Sequence, residues 1–325
     1  MDSNQPEHWQ IPAALAALVF GGGFAALVPA RAEALEPAVW PVLALLLYAT
    51  FCQIRWQDLR PAADGKQFLK ALALSQAVFV PLMVAVMTLP LPDSPTLKLA
   101  ILLVLLAPCT DWFVTFTHLG GGSTQQATLA TPVLLAGQLV LLPMWLILLA
   151  GPAAVEVIAV DRFLVVFAGL IALPLGLALI LEMGTRRWQP LHHVAQISRR
   201  AMTPFLLLLL FVLAASNLPH LAGTGSVLLG VSLLYVAYLL AVPALGFLVS
   251  SRLELTPVAT RTLIFSLAAR NSFVVMPFAL TLPEPALAAG VIVVQSVIEV
   301  GGLILYTRLI PALVPLQAST PSNSG

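Results

Sequence analysis

Two short polar stretches interrupt long apolar runs of this chain, and they hold the residue types that could do chemistry. The first reads Ala107-Pro108-Cys109-Thr110-Asp111-Trp112 and lies inside the apolar run from Leu97 to Leu119. A thiol, a hydroxyl and a carboxylate in such a run could bind a polar solute or an ion. Because a carboxylate at the centre of a membrane costs at least about 2.5–3.5 kcal/mol, Asp111 indicates a functional group with a partner nearby.

The second stretch reads Leu267-Ala268-Ala269-Arg270-Asn271-Ser272 and again places polar side chains in an apolar run. We expect the helix to break in the first stretch, because Pro108 lacks a backbone N–H and clashes with the preceding turn. At membrane depth, irregular backbone occurs only where it is buried in protein or lines a polar cavity. Two interrupted spans in corresponding halves of a chain are typical of a transporter's binding site.

The composition indicates a membrane protein. Of 325 residues, 60% are hydrophobic and 9% are charged, whereas about a quarter of the residues in a soluble domain are charged. The net charge of +1 and the lack of a basic run argue against a nucleic-acid partner. The first ten residues carry Asp2 and Glu7 without Lys or Arg, so we expect no cleaved secretory signal.

Apolar segments of the roughly 20 residues that a membrane-spanning helix needs recur along the whole chain. The sequence therefore predicts an all-α polytopic membrane protein. The ten predicted spans are residues 11–29, 38–54, 67–89, 97–119, 125–150, 160–182, 202–218, 225–250, 258–282 and 286–310. The polar connection from Glu182 to Met202 is predicted to hold a short interfacial helix.

Basic residues fall mostly on one side of this ten-span arrangement. The side with the N-terminus, the even-numbered loops and the C-terminus holds eleven Lys and Arg residues, and the other side holds three. Since cytoplasmic loops are enriched in Lys and Arg, both termini are predicted to lie in the cytoplasm, with the protein in the inner cell membrane. The eleven are Arg55, Arg60, Lys66, Lys70, Arg186, Arg187, Arg199, Arg200, Arg252, Arg261 and Arg308, and the three are Arg31, Lys98 and Arg162.

Ten spans divide into two sets of five, and a repeat with an odd number of spans must enter the membrane with its second copy inverted. We therefore predict one inverted repeat over residues 1–150 and a second over 151–325, with a disordered tail at about 317–325. A shift of 160 residues places Phe113 on Phe273 and Asp111 on Asn271. The fourth and ninth helices should then be broken and should cross.

The two polar stretches supply the candidate substrate-binding residues. If the stretches cross, Asp111 and Arg270 form an ion pair. That pair either belongs to the binding site or only fastens the two breaks together, and the sequence leaves both open. The full set of candidates is Cys109, Thr110, Asp111, Arg270, Asn271 and Ser272.

The candidates for ion coupling are Glu299, Gln295, Gln138 and Thr131. Glu299 follows Gln295 by four residues, so both lie on one face of a helix. A desolvated carboxylate without a full partner is suited to carry a proton. Alternatively, Glu299 is a structural partner of Arg270.

Cys109 also has two interpretations. A buried cysteine usually behaves as a small hydrophobic residue, but a thiolate at a helix break is a soft ligand that could bind a metalloid. The only other cysteine is Cys52, expected near a membrane edge. Both should be free thiols, and one thiol at the break excludes a trithiolate cage.

Other motifs do not change this interpretation. The sequence has no nucleotide-binding loop, no metalloprotease motif and no nucleophile with a partner base. A metal site at His192 and His193 lacks a third ligand. We therefore expect no cofactor, no resident metal and no enzymatic activity.

The residues resemble those of a known superfamily. The ten spans, the Ala107-Pro108-Cys109-Thr110 sequence, the polar break in the ninth span, and Gln295 with Glu299 in the tenth resemble the bile acid:sodium symporter superfamily. Within it, they are most similar to the arsenite permeases of arsenical resistance. The resemblance implies a panel domain of spans 1, 2, 6 and 7 and a core domain of spans 3 to 5 and 8 to 10. It also implies that Cys109 is functional, because it matches the permease cysteine of the fourth span.

The chain departs from the superfamily in the ninth span. The permeases carry a glutamate soon after an Asn there, and sodium-coupled members also use a ninth-span glutamate. Here Arg270-Asn271-Ser272-Phe273-Val274 contains no acid, so Glu299 or Asp111 would have to take the role.

Together these features predict a secondary active transporter in a lipid bilayer that takes a metalloid or another small molecule. The first expectation is arsenite or antimonite efflux coupled to H⁺ or Na⁺. The alternative is a sodium-coupled symporter of an organic anion, with Arg270 binding a carboxylate or sulfonate.

Overall fold

The structure, a computed structural model, describes residues 10–53, 65–92, 94–109, 112–151, 165–185, 188–217 and 224–316. These residues are almost entirely helical, and their only β pairing is one isolated bridge. The helices are α1 (Gln10–Leu27), α2 (Pro29–Glu33), α3 (Val39–Phe51), α4 (Gly65–Leu74), α5 (Val80–Thr88), α6 (Pro95–Leu106), α7 (Trp112–Leu119), α8 (Thr124–Ala150), α9 (Leu173–Thr185), α10 (Gln189–Arg200), α11 (Met202–Asn217), α12 (Gly225–Arg252), α13 (Pro257–Ala268), α14 (Ser272–Ala279) and α15 (Pro285–Leu313).

Several helices are long and apolar enough to cross a membrane. Among the described residues six qualify, and the bent pair Thr124–Gln138 and Val140–Ala150 would make a seventh. Three shorter apolar helices, Pro12–Leu27, Pro95–Leu106 and Pro257–Ala268, lie in the predicted first, fourth and ninth spans. The all-helical, multi-pass class is thus confirmed, and the count of ten spans stays a prediction.

The helices are interrupted at both polar stretches. Helix α6 ends at Leu106 and α7 begins at Trp112, while α13 ends at Ala268 and α14 begins at Ser272. The residues that follow α6 and α13, Ala107 and Ala269, have extended backbone. Each predicted span therefore consists of two half-helices.

Local sequence explains where the half-helices begin. The side chain of Ser94 accepts a hydrogen bond from the backbone N–H of Leu97 at the start of α6, at 3.3 Å. Thr256 caps α13 and Asn271 caps α14 in the same way, at 3.3 and 3.2 Å. Such caps satisfy backbone donors that have no partner inside the helix.

The helices pack as two groups, which we call the first and second bundles. The first bundle contains α1, α3, α9 and α11: α1 packs along α11, and α3 packs on α11 and α9. The second bundle contains α4 to α8 and α12 to α15, with α15 packed on α6, α12 and α14. The two bundles meet where α3 contacts α14 and α11 contacts α15.

Helix α10 lies in the connection where the sequence predicts a short helix. Its Arg199 donates from Nη2 to Glu182 Oε2 at 2.8 Å and from Nε to the carbonyl of Cys52 at 2.8 Å. The residue thereby links α10 to the ends of α9 and α3. His192 and His193 are exposed.

Candidate functional site

The two breaks are joined by backbone hydrogen bonds. The N–H of Cys109 donates to the carbonyl of Ala269 at 3.1 Å, and the N–H of Asn271 donates to the carbonyl of Ala107 at 2.7 Å. Pro108 and Arg270 thus form an antiparallel bridge. The pairing satisfies backbone groups that lie outside any helix, which a membrane interior requires.

A cavity of about 300 Å³ lies beside this bridge, between the two bundles. Its walls are mostly apolar and come from α1, α3 and α11 on one side and from α15 on the other. The polar lining residues are Thr50, Cys109, Arg270, Asn271, Ser272, Ser296 and Glu299. Ligand pockets of proteins start at about this volume and combine apolar walls with a few polar groups in the same way.

The guanidinium of Arg270 is directed at protein oxygens. Its Nε donates to the carbonyl of Leu267 at 3.0 Å, and Nη2 donates to the same carbonyl. Its Nη1 donates to the carbonyl of Leu105 at 3.2 Å. Nη1 also donates to Gln76 Oε1 at 3.1 Å. The Arg270 side chain is 2% exposed, so its charge is held inside the protein.

Glu299 is the end of a buried hydrogen-bonded chain. The hydroxyl of Ser272 donates to Gln295 Oε1, and Gln295 Nε2 donates to Glu299 Oε2. Gln295 and Glu299 share one face of α15, as predicted, and Gln295 contacts the ninth-span break through Ser272.

Asn271 has one buried donor left over. Its Oδ1 caps α14, but Nδ2 has no hydrogen-bond partner among the described residues. Asn271 and Trp112 both line the cavity, at the starts of α14 and α7. Helix starts carry partial positive charge and often face anionic groups of a substrate.

Cys109 lines the same cavity and is 3% exposed. Neither cysteine forms a disulfide, and Cys52 does not line the cavity, as expected from its place after α3. The described residues contain no group of three or more His, Cys, Asp or Glu side chains that could hold a metal.

Four candidate residues lie elsewhere or cannot be placed. Thr131 and Gln138 are buried on α8, which packs on α6 and α7, and they do not line the cavity. Thr110 and Asp111 lie outside the described residues, so the Asp111–Arg270 pair stays a prediction.

Two residues of the site, Gln76 and Tyr238, were not predicted from the sequence. Gln76 lies in a π-helical turn, Ser75–Phe79, and its Nε2 also donates to the carbonyl of Ser266 at 3.2 Å. Tyr238 donates to the carbonyl of Leu267 at 2.8 Å, and its ring centre is 5.5 Å from Arg270 Cζ. An amide in the middle of an apolar span was a signal for Gln76, whereas nothing in the sequence marks Tyr238.

Comparison with known families gives a result consistent with this geometry. The model of the sodium bile acid symporter family matches residues 40–223, more than half of the chain, including the fourth-span break. None of the curated proteins matches the chain. The family is one of transporters, which implies a small-molecule substrate, sodium coupling and a place in the lipid bilayer. The chain belongs to the sodium bile acid symporter family.

Proposed function

We propose that the protein is a secondary active transporter of an organic anion with an apolar body. The observation that carries the proposal is the cavity of about 300 Å³ between the bundles, with apolar walls and polar groups gathered at the breaks. A hydrophobic wall favours an apolar body, because burial removes about 25 cal/mol of unfavourable hydration per Å². A small hydrated solute would gain nothing from most of this surface.

The polar end of the cavity favours a negative charge. The starts of α7 and α14 carry partial positive charge, and Arg270 places a full positive charge behind them. The Arg270 guanidinium donates to protein oxygens, so in this proposal it attracts the anion by its field and not by a bidentate contact.

The transport cycle follows from the two bundles. We assign the first bundle as the panel domain and the second as the core domain, within ten spans that form two inverted repeats over 1–150 and 151–325. Rocking of the core domain against the panel domain would open the cavity to each side of the membrane in turn.

The coupling ion binds at the Glu299 carboxylate, which accepts a hydrogen bond from Gln295. Thr131 and Gln138, proposed from the sequence for the same role, lie on α8 away from this cavity.

Arsenite efflux is the second candidate function, favoured by one observation. Cys109 lines the cavity at the break, where a thiolate could bind a metalloid. A single thiol gives one soft ligand, so the rest of such a site would have to come from oxygen ligands.

A ligand-induced shift in thermal unfolding separates the two candidates. Purified protein is heated with carboxylates and sulfonates of increasing apolar size, with the matched neutral alcohols, and with arsenite. We expect the midpoint temperature to rise with the apolar size of the anions and less with the alcohols, since a ligand that binds the folded state stabilises it. If arsenite raises the midpoint temperature and none of the organic anions does, arsenite efflux is favoured and organic-anion transport is rejected.

A further inference from the structure

The position of Arg270 points to a cation site that the protein fills with its own side chain. Helices α6 and α13 both end at the breaks, at Leu106 and Ala268. The last four carbonyls of a helix have no partner inside it, and they carry partial negative charge. Leu105 and Leu267 are fully buried, so the protein itself must satisfy their carbonyls.

Within the described part of the chain, three oxygens from three segments surround the guanidinium. They are the carbonyls of Leu105 in the last turn of α6 and of Leu267 in the last turn of α13, and Oε1 of Gln76 in the π-helical turn. All three are neutral oxygens. Tyr238 adds its ring face at 5.5 Å, which also favours a cation.

Broken helices of transporters use this chemistry to bind Na⁺ or H⁺, with unwound carbonyls and half-helix C-terminal ends as ligands. Here the same kinds of oxygen accept hydrogen bonds from Arg270, which is 2% exposed. A sodium ion at this point would have to displace the guanidinium from its acceptors and stay close to a like charge. The site formed by the ends of α6 and α13 therefore does not fit a sodium ion while Arg270 is present.

We propose that the Arg270 guanidinium is a built-in substitute for a coupling cation, and that this position binds sodium only when the arginine is removed. The consequence is that the ion-coupling step of this chain uses another group, and Glu299 is the described carboxylate at the cavity. The inference concerns cation binding alone and does not depend on which solute is transported.

The test compares two substitutions at one position. Arg270→Gln removes the charge and leaves an amide oxygen among the three acceptors, whereas Arg270→Lys keeps a positive charge. The midpoint temperature of each purified protein is measured while sodium chloride replaces choline chloride at constant ionic strength. We expect Arg270→Gln to be less stable in choline and to recover saturably with sodium, by about 3 °C or more. The parent and Arg270→Lys should gain less from sodium, because a positive charge still occupies this position and any sodium bound at Glu299 stabilises all three proteins.

A further substitution tests whether the sodium response of Arg270→Gln arises at this position. Adding Gln76→Leu to Arg270→Gln removes one of the three acceptors, so it should weaken the sodium response. An Arg270→Gln protein that gains no more from sodium than the parent would overturn the proposal.

A second measurement does not require Arg270→Gln to fold. The parent and the single variant Gln76→Leu are compared in the same sodium and choline series, and both should respond equally to sodium, because neither binds the ion among the Arg270 acceptors. A saturable response of the parent that Gln76→Leu abolishes would mean that sodium shares this site with Arg270, and would overturn the proposal.

Discussion

The backbone N–H of Cys109 donates to the carbonyl of Ala269 over 3.1 Å, and this bond joins the two helix breaks directly. The groups that line the polar end of the cavity are held next to this junction. Because the contact uses backbone atoms, side chains at the breaks can be exchanged without removing it. A substitution there that keeps the size and charge of the side chain can therefore report on function separately from folding.

Cys109→Ser provides the first such substitution. The change keeps the backbone bond to Ala269 and nearly the same side-chain size while it removes the soft ligand. We expect organic-anion transport to persist, and any arsenite resistance conferred by the protein to be lost. Growth on arsenite and uptake into everted vesicles measure the two effects. Cys52→Ser is the matched control and should be silent in both assays, and loss of organic-anion transport in Cys109→Ser alone would contradict our assignment.

Glu299→Gln should uncouple transport from the ion gradient. The amide keeps the shape of the side chain but cannot bind and release a coupling ion. We expect exchange of substrate across proteoliposomes to continue while accumulation driven by an imposed proton or sodium gradient is lost. Accumulation at the parent rate would show that Glu299 does not carry the coupling ion.

Asp111 and Arg270 should behave as one energetic unit. Removing one member of a buried ion pair leaves the other uncompensated, at a cost of about 3–5 kcal/mol. Asp111→Asn and Arg270→Gln should each lower thermal stability in sodium-free buffer, and the double variant should recover part of the loss. Recovery should be partial, because the carbonyls of Leu105 and Leu267 still lose their donor. Additive losses would show that the two residues are not partners.

The packing of the first bundle can be tested by comparing substitutions at Gly21 and Gly23, which both lie on α1. A Cβ at Gly21 would lie 2.4 Å from the backbone oxygen of Phe211 on α11, whereas no described atom lies within 4 Å of one at Gly23. Small residues at such contacts allow helices to approach closely. Gly21→Ala should therefore lower stability by about 1–3 kcal/mol, and Gly23→Ala should not. Equal thermal unfolding of the two variants would contradict the α1–α11 contact.

The predicted orientation can be tested on two exposed residues. Gln196 lies on α10, in a connection predicted to be cytoplasmic, and Ser226 lies at the start of α12, on the opposite side. Since the native Cys52 and Cys109 are buried, background labelling should be low. An impermeant thiol reagent added to intact cells should label Ser226→Cys and not Gln196→Cys. The reverse pattern would overturn the charge-based topology.

Much of this arrangement could be predicted from the sequence because it depends on local chemistry. Pro108 and the capping side chains of Ser94, Thr256 and Asn271 mark where half-helices end and begin. The membrane also limits where polar groups can lie. Arg270 and Glu299 could therefore be identified as site candidates from their positions inside apolar spans.

The remaining features depend on packing between segments distant in sequence. The contacts of Gln76 and Tyr238 with the Arg270 region form only when their helices meet. Leucines of α1 and α3 that line the cavity have the same composition as those that face lipid, so sequence cannot separate them. Thr131 and Gln138 matched an intramembrane polar pattern, but α8 faces α6 and α7 and not the cavity.

The most direct test of the central claim blocks the cavity and measures transport. Gly301 lines the cavity, and a Cβ at this position would have no described atom within 4 Å, so Gly301→Phe should fill the space without disturbing the fold. Gly230→Phe is the matched control, because Gly230 is exposed on α12, away from the cavity, and has equally free surroundings. In proteoliposomes that exchange an organic anion, we predict saturable exchange by the parent and by Gly230→Phe, and loss of exchange in Gly301→Phe. Exchange by Gly301→Phe at the parent rate, or no exchange of any organic anion by the parent, would contradict the claim that this cavity carries the substrate.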